Sequence, residues 1–232
     1  LMAVDVFWAC CEYQWMLAEE PAPVLPNFYA KQIHGPNDPL TQINACPAFN
    51  DSLQNCFALK SLYNYEFFIE DNKVISNVYN QDFFDEHLVI RSIEKKFFSF
   101  MNSYVFFSNA DSLPASIGIY PYLEDNNITK RCITFHGKYD IAKWFRTTDF
   151  PFFLKQDYNS FKIDQGEIFQ YIQFHTDQKI NFIQFKYTER LEYLKNDGFK
   201  INFFNTLKNM ANYYKKFKTK KLILQEIEKN IL

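Results

Sequence analysis

The chain has 232 residues, enough for one large domain or two small ones and for a substantial buried core. Aromatic residues make up 19% of it, with 27 Phe and 15 Tyr, a bias that favours strands and broad packed interfaces. A net charge of −2 excludes a protein that coats nucleic acid with its whole surface. Charged and polar residues interrupt every apolar run before membrane-spanning length, so no transmembrane helix is expected.

In chain order, "VDVFWACCEYQWM" reads as a first buried strand. The stretch that follows, "EEPAPVLPNFYAKQIHGPNDPL", carries Pro21, Pro23, Pro26, Pro36 and Pro39. These deny amides to a ladder, so the segment reads as an ordered loop or arm. From Phe57 to Tyr79 the pattern is strand, turn at Asp71-Asn72, strand. "QDFFDEHLVIR" reads as a polar loop entering the strand "HLVIRSI", and "FFSFMNSYVFFSN" is apolar on both faces, which fits a buried strand or a buried helix. Short extended runs continue through "ASIGIYPYL" and "KRCITFHGKYDIAKWFRTTDFPFFLK", punctuated by Gly118, Pro121, Gly137 and Pro151.

"FKIDQGEIFQYIQFHTD" reads as a hairpin: Phe161 and Ile163 on one strand, a turn at Asp164–Glu167, and a second strand from Ile168 to Phe174. Simple alternation puts Ile168, Ile172 and Phe174 on one face and Phe169, Tyr171, Gln173 and His175 on the other. "INFIQF" is then the adjacent strand. "TERLEYLKNDG" has helical spacing and a plausible terminal Gly198. Beyond Asn205, Leu207, Met210, Tyr214, Leu222, Ile223, Ile227 and Ile231 recur at helical intervals. The fold class expected is mainly β, a β-sandwich or β-clip-like mixed sheet, with a helical C-terminal segment. Residues 1–187 would form the β-rich domain, and 188–232 a helical segment packed on it or extending from it.

Chemistry-bearing motifs are sparse. Five glycines are scattered singly, whereas phosphate cradles need clustered glycines, so P-loop, dinucleotide-fold and kinase loops are excluded. There is no Gly-x-Ser-x-Gly elbow and no Cys-x-x-Cys pair among Cys10, Cys11, Cys46, Cys56 and Cys132. Vicinal Cys10-Cys11 sit among apolar residues, where a thiolate is disfavoured. His175-Thr176-Asp177 matches two ligands of a facial iron triad, but no histidine follows His175, and a polar rim on a sheet accounts for the pair. His136 and Asp140 could join a base to an orienting carboxylate. The candidate ligand-binding residues are therefore His136, Asp140, His175 and Asp177. Asp82, Asp85, Glu86 and His87 form an oxygen-rich cluster that could take a divalent cation. Basic residues gather late, and Lys215, Lys216, Lys218, Lys220 and Lys221, interleaved with Tyr213, Tyr214 and Phe217, are candidates for contact with single-stranded nucleic acid. No catalytic residue, metal or cofactor is assigned.

"FKIDQGEIFQYIQF" resembles a strand–Gly-Glu–strand signature of an uncharacterised bacterial family and of hypothetical proteins of tailed marine phages. "WMLAEEPAPVLPNFY", "YNQDFFDEHLVIRS", "PYLEDNNITKRCI", "DIAKWFR" and "GEIFQYIQFHTD" together resemble one such phage family over most of the chain up to about Phe185. Gly166, Gln170, Ile172 and Phe174 are also similar to a late strand of the β-clip nucleotide enzymes, the deoxyuridine triphosphate hydrolases and deoxycytidine triphosphate deaminases. Their Arg-Ser-Ser motif and glycine-rich arm are absent. The phage resemblance implies a source and no mechanism. The resulting expectation is a non-enzymatic structural or accessory protein of the infected host cytoplasm or the virion, not secreted through a signal peptide. Its partners would be further copies of itself or other phage proteins. The alternative is a small-ligand or nucleotide-binding β-clip-like enzyme with a pocket near His136 and His175.

Overall fold

The computed structural model describes residues 3–11, 18–24, 46–78, 81–101, 103–118, 127–147, 149–200 and 220–232. The strands are β1 (Ala3–Cys10), β2 (Ala22–Pro23), β3 (Cys56–Lys60), β4 (Tyr65–Glu70), β5 (Lys73–Ile75), β6 (Leu88–Ser92), β7 (Phe97–Met101), β8 (Tyr104–Phe107), β9 (Pro114–Gly118), β10 (Cys132–Thr134), β11 (Gly137–Asp140), β12 (Asp149–Leu154), β13 (Ser160–Ile163), β14 (Ile168–Phe174) and β15 (Lys179–Gln184). The helices are α1 (Pro47–Ser52), α2 (Gln81–His87), α3 (Asn127–Arg131), α4 (Glu189–Lys200) and α5 (Lys220–Glu228). The protein is mainly β with a C-terminal helix. The described strands form four sheets, ordered β15-β1-β8, β10-β12-β7-β6, β11-β9-β14-β3-β2 and β13-β4-β5.

Residues from all four sheets meet in one core, and aromatic rings are what join them. Phe67 of β4 and Phe161 of β13 stack at 5.4 Å. Phe161 reaches Phe152 of β12 at 5.2 Å, and Phe152 stacks on Phe100 of β7 at 5.4 Å. A ring spans an inter-sheet gap with few rotatable bonds, so a phenylalanine-rich chain can fill such a core at low side-chain entropy cost.

β1 is buried on both faces because it lies between two layers. Val4, Val6, Trp8 and Cys10 enter the main core, whereas Phe7 and Ala9 face a second cluster with Leu191, Leu194, Ile223 and Ile227 of the C-terminal helices. β8 repeats the arrangement: Tyr104 and Phe106 point inward, Val105 and Phe107 toward the helices. The run apolar on both faces is thus strand, not helix, and is split between two sheets as β7 and β8. The pairing of β1 with β15 is parallel, as expected of a strand covered on both faces.

Several expectations are corrected. Phe161–Phe174 is not a hairpin: β13 pairs with β4, while β14 pairs with β3 and β9. Asp164–Glu167 does form a turn, closed by Glu167 N–H to Asp164 O at 3.1 Å with Gly166 at φ +84°. It carries the chain between sheets, anchored by Gly166 N–H to Ser61 O at 2.9 Å. Phe169 and Ile168 are on the faces opposite to those expected, because a bulge shifts the register between Ile168 and Gln170. An extra residue reverses the alternation, sending Phe169 into the main core and Ile168 to the α1 side.

β15 pairs with β1 rather than β14. The expected polar loop before β6 is helix α2. α4 runs through Gly198 to Lys200, with no terminus at the glycine. Of the late apolar positions, Ile223 and Ile227 are buried, but Leu222 and Ile231 are 46% and 48% exposed. The first part of the expected helix, from Asn205 to Thr219 with Leu207, Met210 and Tyr214, lies outside the described residues, as do residues 25–40 of the proline-rich segment. Pro23 within it forms a two-residue edge strand on β3, a position where a missing amide costs no ladder bond.

Candidate functional site

The candidate histidines belong to one sheet face, and its register is set by two backbone bonds. Ile141 N–H donates to Leu113 O at 3.0 Å, which phases β11 on β9, and His175 N–H donates to Pro114 O at 2.9 Å, which phases β14 on β9. Lys138, Ser116 and Gln173 therefore form one cross-strand row. Strand alternation places His136 and Asp140 on the same face as Lys138.

His136 leads into β11, with its ring across Gly118. A Cβ at Gly118 would come within 2.1 Å of His136 Nδ1, so the absent side chain makes room for the imidazole. Asp140 lies four positions along an extended strand, roughly 13 Å away, and its carboxylate is fully engaged. One oxygen accepts from Ser112 Oγ and Lys143 Nζ, both at 2.7 Å. The other accepts from the amides of Leu113 at 2.8 Å and Ala142 at 3.0 Å. Burial pushes its pKa up, but these bonds outweigh it and hold the carboxyl below its ordinary value. Asp140 is a turn anchor.

His175 is exposed, with Nε2 at 2.7 Å from Ser116 Oγ. Its pKa is lowered, first by partial burial and then by the charge of Lys138. Asp177 is exposed in the following turn, where Gln178 N–H bonds Thr176 Oγ1. The four sequence candidates thus do not converge on one point. Ser116, which no motif singles out, is the residue that His175 meets. No local signal marks it, because the contact exists only through the β9–β14 register.

A crevice of about 280 Å³ lies beside His136 where the chain passes from β10 to β11. Ile117, Phe135, Tyr139, Trp144 and Pro151 line it, with the buried Gln170 and the rim residues Lys138 and Asp149. Asp149 is ion-paired to Arg91 at 3.0 Å.

The acidic cluster at Asp82–His87 does not come together as a cation site among the described residues. Asp82, Asp85, Glu86 and His87 lie on α2, and His87 is buried, stacked on Phe83 at 4.0 Å with Nδ1 at 2.7 Å from Phe83 O. No group of three potential ligands gathers among the described residues. Cys10 and Cys11 point to opposite sides of β1, and burial pushes the Cys11 thiol pKa far up. In the basic tail, Lys215, Lys216 and Lys218 lie outside the described residues. Lys220 donates Nζ to Ala110 O, and Lys221 is exposed. No helix among the described residues is long and apolar enough to cross a membrane.

No family model, curated protein or solved structure matches the chain.

A further surface lies on the outer face of β10-β12-β7-β6. There Phe97, Phe135 and Phe153 form a ring triad with centroids 4.5 to 5.9 Å apart. Phe135 is 42% exposed and neighbouring Ile133 57%. These residues share a face because Ile133 pairs with Phe153 and Phe153 with Phe97, and Phe135 N–H bonds Pro151 O at 3.3 Å.

Proposed function

We propose that the chain is a non-enzymatic β-rich protein of a tailed phage, structural or accessory, acting by self-association or by contact with another virion protein. The supporting observation is the pair of exposed residues Phe135 and Ile133 beside the half-buried rings of Phe97 and Phe153 on the outer face of β10-β12-β7-β6. A contiguous apolar sheet face is costly in water and characteristic of a contact surface. The phage source rests on the sequence resemblance, and with it the placement in the infected host cytoplasm or the particle. The test is light scattering coupled to size exclusion on wild type and on Ile133→Asp. Wild type is expected to run as an oligomer that the aspartate disperses without changing the circular dichroism spectrum. A monomeric wild type that is also absent from purified virions overturns the proposal.

The crevice beside His136 favours a second reading, a small-ligand or nucleotide-binding protein of β-clip type, since apolar clefts with few convergent polar groups are the usual ligand sites. Equilibrium dialysis against a panel of nucleoside mono- and triphosphates tests it. Saturable binding lost in Gln170→Leu supports this reading, and no retention of any panel member removes it.

A further inference from the structure

The outer face of β11-β9-β14 carries a polar row centred on Ser116, of which only Lys138 also borders the crevice beside His136. Lys138 and Gln173 flank Ser116 in register, and the Ser116 hydroxyl lies 2.7 Å from His175 Nε2. Lys138 is exposed and enters no ion pair among the described residues. The carboxylate nearest to it on its own strand, Asp140, is already neutralised by Lys143. Asp177 is exposed, two residues beyond His175. Groups facing this spot from β9 and β14, Ser116 and Gln173, are uncharged. The result is an accessible cation, a hydroxyl and an imidazole gathered on one face, with no carboxylate paired to Lys138 or His175 among the described residues.

We propose that Ser116, Lys138 and His175 form an oxyanion-binding site for a phosphate or carboxylate group, in which His175 takes up a proton from solvent as the anion binds. In the neutral ring with its proton on Nδ1, Nε2 accepts the Ser116 O–H, so that hydroxyl is unavailable to a ligand. Protonation reverses the bond. Nε2–H then donates to Oγ, and the Ser116 O–H is released to turn outward toward the anion. Lys138 adds its charge from the neighbouring strand, and no covalent bond forms or breaks.

Partial burial and then the charge of Lys138 lower the His175 pKa from its ordinary value. An anion seated between the two cations reverses the second of these effects. Binding and protonation are therefore reciprocal: whatever factor the proton adds to anion affinity, the anion adds to proton affinity.

The test follows the ring-proton NMR signals of the histidines in the full chain during pH titrations. Inorganic phosphate, acetate or chloride is present at equal ionic strength. Saturating phosphate is expected to raise the His175 pKa by about one unit, equivalent to about tenfold tighter binding to the protonated form. A smaller shift with acetate assigns the site to phosphate groups, and an equal or larger one to carboxylates. Lys138→Met is expected to raise the resting His175 pKa and to abolish the anion-dependent shift, and Ser116→Ala to weaken phosphate binding several-fold. An anion-dependent shift at His175 no larger than that at exposed His136, or one that survives Lys138→Met, overturns the proposal.

Discussion

Gly118→Ala places a methyl group where the His136 ring lies: the new Cβ would stand 2.1 Å from Nδ1, 2.8 Å from Cε1 and 2.9 Å from Cγ. Because Cγ is among these atoms, a ring flip cannot clear the clash, and the whole imidazole must leave by rotation about χ1. His136 is exposed, so it can swing into solvent without disturbing the core. Overpacking generally costs about 1–3 kcal/mol, and an escape route to solvent puts this case at the low end. Against it, alanine is worth roughly 0.5–1 kcal/mol over glycine inside a strand. The net loss expected in the wild-type background is about 0.5 kcal/mol. In a His136→Ala background the clash is gone and only the strand preference remains, so Gly118→Ala should stabilise by roughly 0.5–1 kcal/mol. The coupling energy is then about 1–1.5 kcal/mol, within the range of directly contacting pairs. Urea melts of the four proteins of the cycle measure it. An equal effect of Gly118→Ala in both backgrounds refutes the placement of the imidazole over β9.

Ile172 is fully buried, so Ile172→Ala should cost about 2–5 kcal/mol in urea melts. His175→Ala, an exposed change, should stay within about 0.5 kcal/mol. The β14 bulge predicts a large loss, about 3–5 kcal/mol, for Phe169→Ala, since that ring packs on Phe150 at 4.8 Å, and a smaller one for half-buried Ile168→Ala; the reverse order would restore simple alternation. Burial pushes the thiols of Cys56 and Cys132 up to about 12 in the folded protein. Their unfolded forms ionise near the ordinary thiol value, so the native state binds more protons above it. Stability is therefore full below pH about 8.5 and lost as pH rises toward 12, at up to about 1.4 kcal/mol per unit for each thiol; alkaline melts of Cys56→Ala and Cys132→Ala should show a shallower fall. Asp140 has the opposite sign: its lowered pKa adds stability above pH about 4 that is lost as pH falls below it, and acid melts of Asp140→Asn should lose that dependence.

The β-rich body, the Asp71-Asn72 turn and a helical C-terminus could be read from the chain, because alternation, turn residues and helical spacing are local signals. Both turn residues indeed have positive φ, a conformation asparagine and aspartate tolerate. The candidate site was only partly legible. His136 and His175 stood out by residue type, yet Ser116 and Lys138 acquire significance only through the register of β9 between β11 and β14. The pair Cys10-Cys11 illustrates the converse: apolar neighbours along the chain suffice to expect a disfavoured thiolate, and burial does raise the Cys11 thiol pKa.

Local pattern in the chain is enough to show which stretches are extended, which are apolar, and which familiar glycine and cysteine motifs are missing. Each of these depends on residues a few positions apart. Tertiary structure alone decided that β13 and β14 part into different sheets, that one inserted residue reverses the faces at Ile168 and Phe169, and that β15 lies parallel to β1. Strand pairing is settled by competition among many apolar edges of nearly equal local quality. The winning arrangement is the one that buries Phe67, Phe100, Phe152 and Phe161 together, and that sum extends over residues nearly a hundred positions apart.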